Sequence, residues 1–144
     1  MQKRNTDKLQ HAMRSLENAI SYAQSNEFQG LGLEFKSVLI SAVAQNFHLT
    51  FAVCCQMISL QLAEHLGKEV AQKVSSEELF RMAAKEGMIT RLDRWLEYLN
   101  IEHPISVSTN ALRAFEKAAS FLEDASELLR TCASRSHNER RRAA

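Results

Sequence analysis

The chain has 144 residues, 45% of them apolar and 24% charged, which suits one globular domain burying roughly two thirds of its unfolded surface. Four Gly and one Pro leave few turn positions, so a sheet built from hairpins is disfavoured and the composition points to an all-α fold. Eighteen Lys and Arg against 17 Asp and Glu give a net charge of +1, too little for a global attraction to nucleic acid or an anionic membrane.

Residues 6–25 place Leu9, Ala12, Met13, Leu16, Ala19, Ile20 and Ala23 at three- and four-residue steps, predicting a first amphipathic helix. The turn formers at 25–30, ending in Gly30, predict a bend. From about 34 to 66 there is neither Gly nor Pro, and a helix of that length reaches roughly 50 Å at ~1.5 Å per residue. Between Phe51 and Leu60 it is apolar nearly all round. A helix of that kind needs partners on more than one side, so it is expected at the centre, with Gly67 as its C-terminal cap.

Ser75 and Glu78 form a capping box for a helix running to Lys85 and closed by Gly87. Thr90, with Asp93 three residues on, is expected to start the next helix, which carries Leu92, Trp95, Leu96 and Leu99. Pro104 stops it. The last helix begins near Ser108 or Thr109, with Leu112, Phe115, Ala118, Ala119, Leu122, Ala125, Leu128 and Leu129 on one stripe. Residues 133–144 are basic and lack apolar periodicity. The expected organisation is therefore one up-and-down bundle of four to five helices over 1–132, followed by a disordered tail.

Three cysteines, with Cys54 and Cys55 adjacent in an apolar run, outline no disulfide framework and fit a reducing compartment. Residues 1–10 lack an apolar signal core. The long apolar stretch is broken by Gln45, Asn46, His48, Gln56 and Gln61, so a soluble cytoplasmic protein without membrane association is expected.

Gln45, Phe47 and Phe51 on the central helix, then Ser75, Gly87, Met88, Ile89, Asp93, Trp95 and Tyr98 in order, then Phe115, Phe121, Leu128 and Leu129, resemble the nucleotidyltransferase substrate-binding proteins. These are small helical members of the HEPN superfamily, partnered with minimal nucleotidyltransferases. The likeness spans residues 7 to 131, and its order and spacing carry more weight than its identities. The resemblance implies a HEPN-like bundle, a homodimer and a small nucleotidyltransferase encoded nearby.

The departures bear on chemistry. The family signature, Arg-Asn followed shortly by Ser-His-x-Tyr, falls at Glu102-His103 and at Ser106, Val107, Ser108 and Thr109, where only Ser106 remains. The connection to Phe115 is also shorter, and two acidic positions of the central helix hold His48 and Ala52. RNA cleavage by HEPN proteins is understood to need the motif Arg for phosphate charge and the motif His for a proton. Glu102 would repel a phosphate. Arg91 or Arg94 could join His103 across a dimer only with an unconventional geometry; otherwise they are solvated helix charges and His103 is a loop residue. Thr109 offers no phenol for modification.

His48 reads as a hydrogen-bonded, partly buried histidine, since Ala44 and Ala52 occupy the i±4 positions a metal site would use. Cys54 and Cys55 point about 100° apart on a helix and read as small buried side chains. Arg140, Arg141 and Arg142, with Arg135 nearby, are either phosphate contacts or a solubilising tail.

These readings converge on a non-catalytic, homodimeric binding partner of a small nucleotidyltransferase, a substrate-binding or toxin–antitoxin-type component. A nucleotide or RNA is the candidate ligand, and no cofactor or metal is expected. The candidate cleft comprises Gln45, His48, Trp95, Tyr98, His103 and Ser106, and the candidate basic contacts are Arg91, Arg94, Arg140, Arg141 and Arg142. Trp95, Leu96 and Leu99 are candidate interface residues. The alternatives are a HEPN ribonuclease toxin using Arg94 and His103, and a stand-alone helical adaptor.

Overall fold

The structure, a computed structural model, describes the backbone of residues 2–102 and 107–143, and within these the side chains other than those of 2, 3, 26, 28, 102, 107–110, 136–140, 142 and 143. Among the described residues every regular element is helical: α1 (Gln2–Ala23), α2 (Asn26–Gln29), α3 (Leu33–Leu66), α4 (Lys68–Lys73), α5 (Ser76–Lys85), α6 (Leu92–Glu102) and α7 (Val107–Ala143). The expected all-α, up-and-down bundle is what forms. Its frame is α1, α3 and α7, each packed on the other two, and the short pair α5 and α6 fills the remaining side against α3 and α7.

The core follows the apolar periods. Leu9 and Leu16 from α1, Phe47, Phe51, Cys54, Ile58 and Leu62 from α3, and Ala118, Phe121, Ala125 and Leu128 from α7 are buried in one cluster. Three polar residues of α3, Asn46, Thr50 and Gln61, are accommodated beside it. The Thr50 hydroxyl donates to the Asn46 carbonyl at 2.7 Å and the Asn46 amide to the Ala42 carbonyl at 2.9 Å, so both spend their polarity inside the helix, while the buried Gln61 carbonyl oxygen has no protein partner. By length and composition α3 is the one described helix that could cross a membrane, but one side of it is packed on α1, α5 and α7.

Helix ends match their sequence signals closely at three places. Gly67 adopts φ 93° and its N–H bonds to the Ala63 carbonyl at 2.9 Å, closing α3 where a side chain would be strained. Gly87 adopts φ 75°, with Gly87 N–H bonded to Ala84 O at 3.1 Å and Met88 N–H to Ala83 O at 2.9 Å, the paired bonds of a Schellman turn. The Ser75 hydroxyl accepts from Glu78 N–H at 3.2 Å, the expected half of the capping box.

Three expectations are corrected. The bend at 25–30 contains the single turn α2, and a short helix α4 follows Gly67. Thr90 does not cap α6; its hydroxyl donates instead to Glu127 on α7 at 2.6 Å. The segment expected as a disordered tail continues α7 as helix to Ala143, and Arg135 anchors this extension by donating to the Glu86 carbonyl at the end of α5.

Candidate functional site

Every third or fourth residue of α6, together with the turn before it, faces α7: Arg91, Arg94, Trp95 and Tyr98. Opposite them Ser120, Phe121, Asp124 and Glu127 recur at the same steps along α7. The apolar members, Trp95 and Phe121, meet edge to face with ring centroids 6.0 Å apart. The polar members meet around one carboxylate.

Asp124 is only 2% exposed. Its Oδ1 lies 2.9 Å from the Arg91 guanidinium, and its Oδ2 lies 2.9 Å from Arg94 Nε and 2.5 Å from the Tyr98 hydroxyl. Arg94 also donates to the Ser120 carbonyl at 3.0 Å, and Arg91 reaches Glu127 at 3.2 Å. A carboxylate withdrawn from water is tolerable only when its lone pairs are met by donors, and here three converge on it. Burial and the bond to Asp124 push the Tyr98 phenol up to about 12, so it remains a proton donor in neutral solution. The bond to Tyr98 raises the Arg94 guanidinium further above its already high value.

This placement corrects the reading of Arg91 and Arg94 as solvated charges. They are half-buried and committed to α7, held by Asp124, Glu123 and Glu127. The signal was present in the sequence: Asp124 stands three residues after Phe121 and four before Leu128, on the apolar stripe of α7, where a carboxylate implies buried cationic partners.

Of the six residues of the candidate cleft, the four described ones do not form one open cleft. Trp95 is 1% exposed and Tyr98 is equally buried, both inside an aromatic cluster with Phe47, Phe51, Phe80 and Phe121. Trp95 is thus a core residue and not a surface anchor, and Leu96 and Leu99 pack half-buried beside it. Gln45 is exposed on the outer side of α3, about 200° around the helix from the buried Phe47. His48 is half-buried, its ring edge-on to Phe47 at 5.6 Å. His103 and Ser106 lie outside the described residues, as do the side chains of Arg140 and Arg142; Arg141 is exposed.

Two other chemistries are limited by burial. Cys54 is buried and its thiol pushed well above the ordinary value, mainly by burial and then by Cys55 and Cys132; burial raises Cys132 to about 11. Neither is poised as a thiolate. Among the described residues no group of three His, Cys, Asp or Glu side chains is placed to hold a metal ion.

Sequence reasoning asked for partners on more than one side of α3 without locating the side that stays uncovered. The outer side of α3 exposes Phe35 (66%), Val38 (65%), Leu49 (58%) and Leu60, with Ala42, Gln45, Ala52 and Gln56 filling the steps between them. The spacing alternates threes and fours, the pattern of a helix seam rather than of a solvated face. Beside its N-terminal end an open groove of about 750 Å³ runs between α3 and α7, lined by residues including Leu33, Ile40, Ala111 and Leu112. Among its described lining residues Lys36 is the only cation.

A family model described as nucleotidyltransferase substrate binding protein like matches residues 4–134. Among solved structures, HI0074 from Haemophilus influenzae, described as revealing the fold of a substrate binding domain of a nucleotidyltransferase, is similar with a TM-score of 0.80. The similarity covers 89% of this chain and 98% of that one, at 19% sequence identity, a likeness of fold. No curated protein matches the chain significantly.

Proposed function

Because this chain belongs to the nucleotidyltransferase substrate binding protein like family, we propose that it is the non-catalytic, helical binding component of a two-protein nucleotidyltransferase, acting as a homodimer. It associates with a separate small transferase and presents a nucleotide or RNA substrate to it, in the cytoplasm. The HI0074 fold, described as that of a substrate binding domain, supports the binding role.

The observation that carries the non-catalytic part of this reading is the commitment of Arg91 and Arg94 to Asp124. A ribonuclease working through His103 would need a guanidinium free to meet phosphate charge. Here the two arginines that could be paired with His103 across a dimer, Arg91 and Arg94, are oriented by a buried carboxylate on another helix, and releasing either would leave that carboxylate short of partners. The homodimer is supported by the uncovered seam of α3.

The test is to co-express the chain with the small nucleotidyltransferase encoded beside it and to incubate the chain alone with total cellular RNA. Co-purification and intact RNA are expected. RNA cleavage that disappears in His103→Ala would establish a ribonuclease instead.

A further inference from the structure

We propose that the outer stripe of α3 is the seam of an antiparallel, two-fold α3–α3 pairing with a second copy of this chain, in a register that sets Gln45 of one copy against Gln56 of the other. The proposal rests on the homodimer reading above and adds to it a surface, a direction and a register.

Area argues for a stable partner. Phe35, Val38, Leu49, Leu60 and Leu66 together expose on the order of 500 Å² per copy, and the exposed Gln45, Ala52 and Gln56 between them bring the stripe toward the ~800 Å² each partner gives to a standard interface. An apolar patch of this size is at the upper end for a monomer and commonly serves a partner.

Charge argues for the occupant. Between Lys36 and Glu64 the sequence of α3 has no Asp, Glu, Lys or Arg, so a charged or nucleic-acid partner finds no charge on the stripe to pair with. A second copy supplies an equally uncharged stripe by symmetry.

Direction and register follow from the two glutamines. A Gln enclosed in an apolar seam must find a hydrogen-bond partner, and the antiparallel register in which Gln45 meets Gln56 satisfies both side chains twice over. The same register sets Leu49 of one copy on Ala52 of the other and Phe35 near Leu66, large side chains on smaller or flexible ones. It also brings Glu34 to the partner's Gly67–Lys68 end, opposite charge to opposite charge. A parallel, in-register pair opposes Glu34 to Glu34 and Leu49 to Leu49, leaves Ala52 on Ala52, and aligns the two helix dipoles.

Cross-linking tests this on the full chain carrying Cys55→Ser to remove the half-exposed thiol. Under mild oxidation the double variant Gln45→Cys/Gln56→Cys is expected to give a covalent dimer, and each single variant is not, since the two positions lie far apart along one helix. Leu49→Glu is expected to halve the mass seen by light scattering with unchanged helical circular dichroism. Should that variant not fold, the cross-linking decides alone. Single variants that cross-link as readily as the double one mean a parallel seam and overturn the register. A wild-type dimer that none of the variants cross-links uses another face and overturns the proposal while leaving the homodimer intact. A wild-type monomer, or association with phosphatidylcholine vesicles in place of self-association, overturns both.

Discussion

The hydroxyl of Tyr98 on α6 donates a 2.5 Å hydrogen bond to the buried carboxylate of Asp124 on α7, and the same oxygen lies 2.9 Å from Arg94 Nε. One acidic side chain thus ties a face of α6 to α7 and engages two half-buried arginines that a ligand would otherwise have to itself. The chain keeps the helical scaffold of its family, and in it Arg91 and Arg94 are bound internally by Asp124.

Asp124→Asn keeps the shape of the side chain and removes its charge. Two half-buried guanidinium groups then lose their shared partner, and stability should fall by about 3 kcal/mol, the usual scale for breaking a buried ion pair from one side. Urea denaturation followed by circular dichroism measures this. A loss below ~1 kcal/mol would show that solvent replaces Asp124 easily and that the arginines are free to move.

The Tyr98 phenol gives a pH dependence with a definite sign. Its folded value is raised to about 12 from an ordinary 10, so the folded protein holds that proton more tightly than the unfolded chain. Its contribution to stability is complete below pH 10 and declines as pH rises from 10 to 12, by at most ~1.4 kcal/mol per pH unit. Tyr98→Phe should lower stability at pH 7 by about 1 kcal/mol and flatten the decline in that window. Thermal melts of both proteins between pH 8 and 11 check it; an unchanged slope in Tyr98→Phe would assign the alkaline loss to other groups.

Much of the fold could be read in the sequence because it rests on local rules. Gly67 and Gly87 mark helix ends, Ser75 caps α5, and the three- and four-residue steps of α1, α3 and α7 mark their buried faces. The site was harder, since it depends on which helix faces which. Arg91, Arg94 and Tyr98 lie on one face of α6 in any reading, but only the packing of α6 on α7 turns them toward Asp124. Trp95 shows the same limit. An aromatic side chain suits an interface or a core equally, and the ring cluster with Phe51, Phe80 and Phe121 decides for the core.

Trp95→Ala should therefore act on the fold. Removing a buried indole costs about 3–5 kcal/mol, whereas the affinity of the remaining folded protein for a partner should be unchanged. Calorimetry paired with a binding titration separates the two; weakened binding at undiminished stability would return Trp95 to an interface.

Gly87→Ala tests the turn between α5 and α6 on which the position of Arg91 depends. At φ 75° an alanine is strained, and about 1 kcal/mol of stability should be lost although the nearest atom to an added methyl is Arg135 Nη2 at 3.8 Å. A neutral substitution by urea titration would mean that the turn can relax to another conformation.

The central claim, that this bundle works by holding other chains, is tested most directly by light scattering of the chain alone and mixed with its proposed partner, a small nucleotidyltransferase. A dimer that shifts to one larger complex of fixed stoichiometry is the expected result. A strict monomer whose mass does not change when the transferase is added would contradict it.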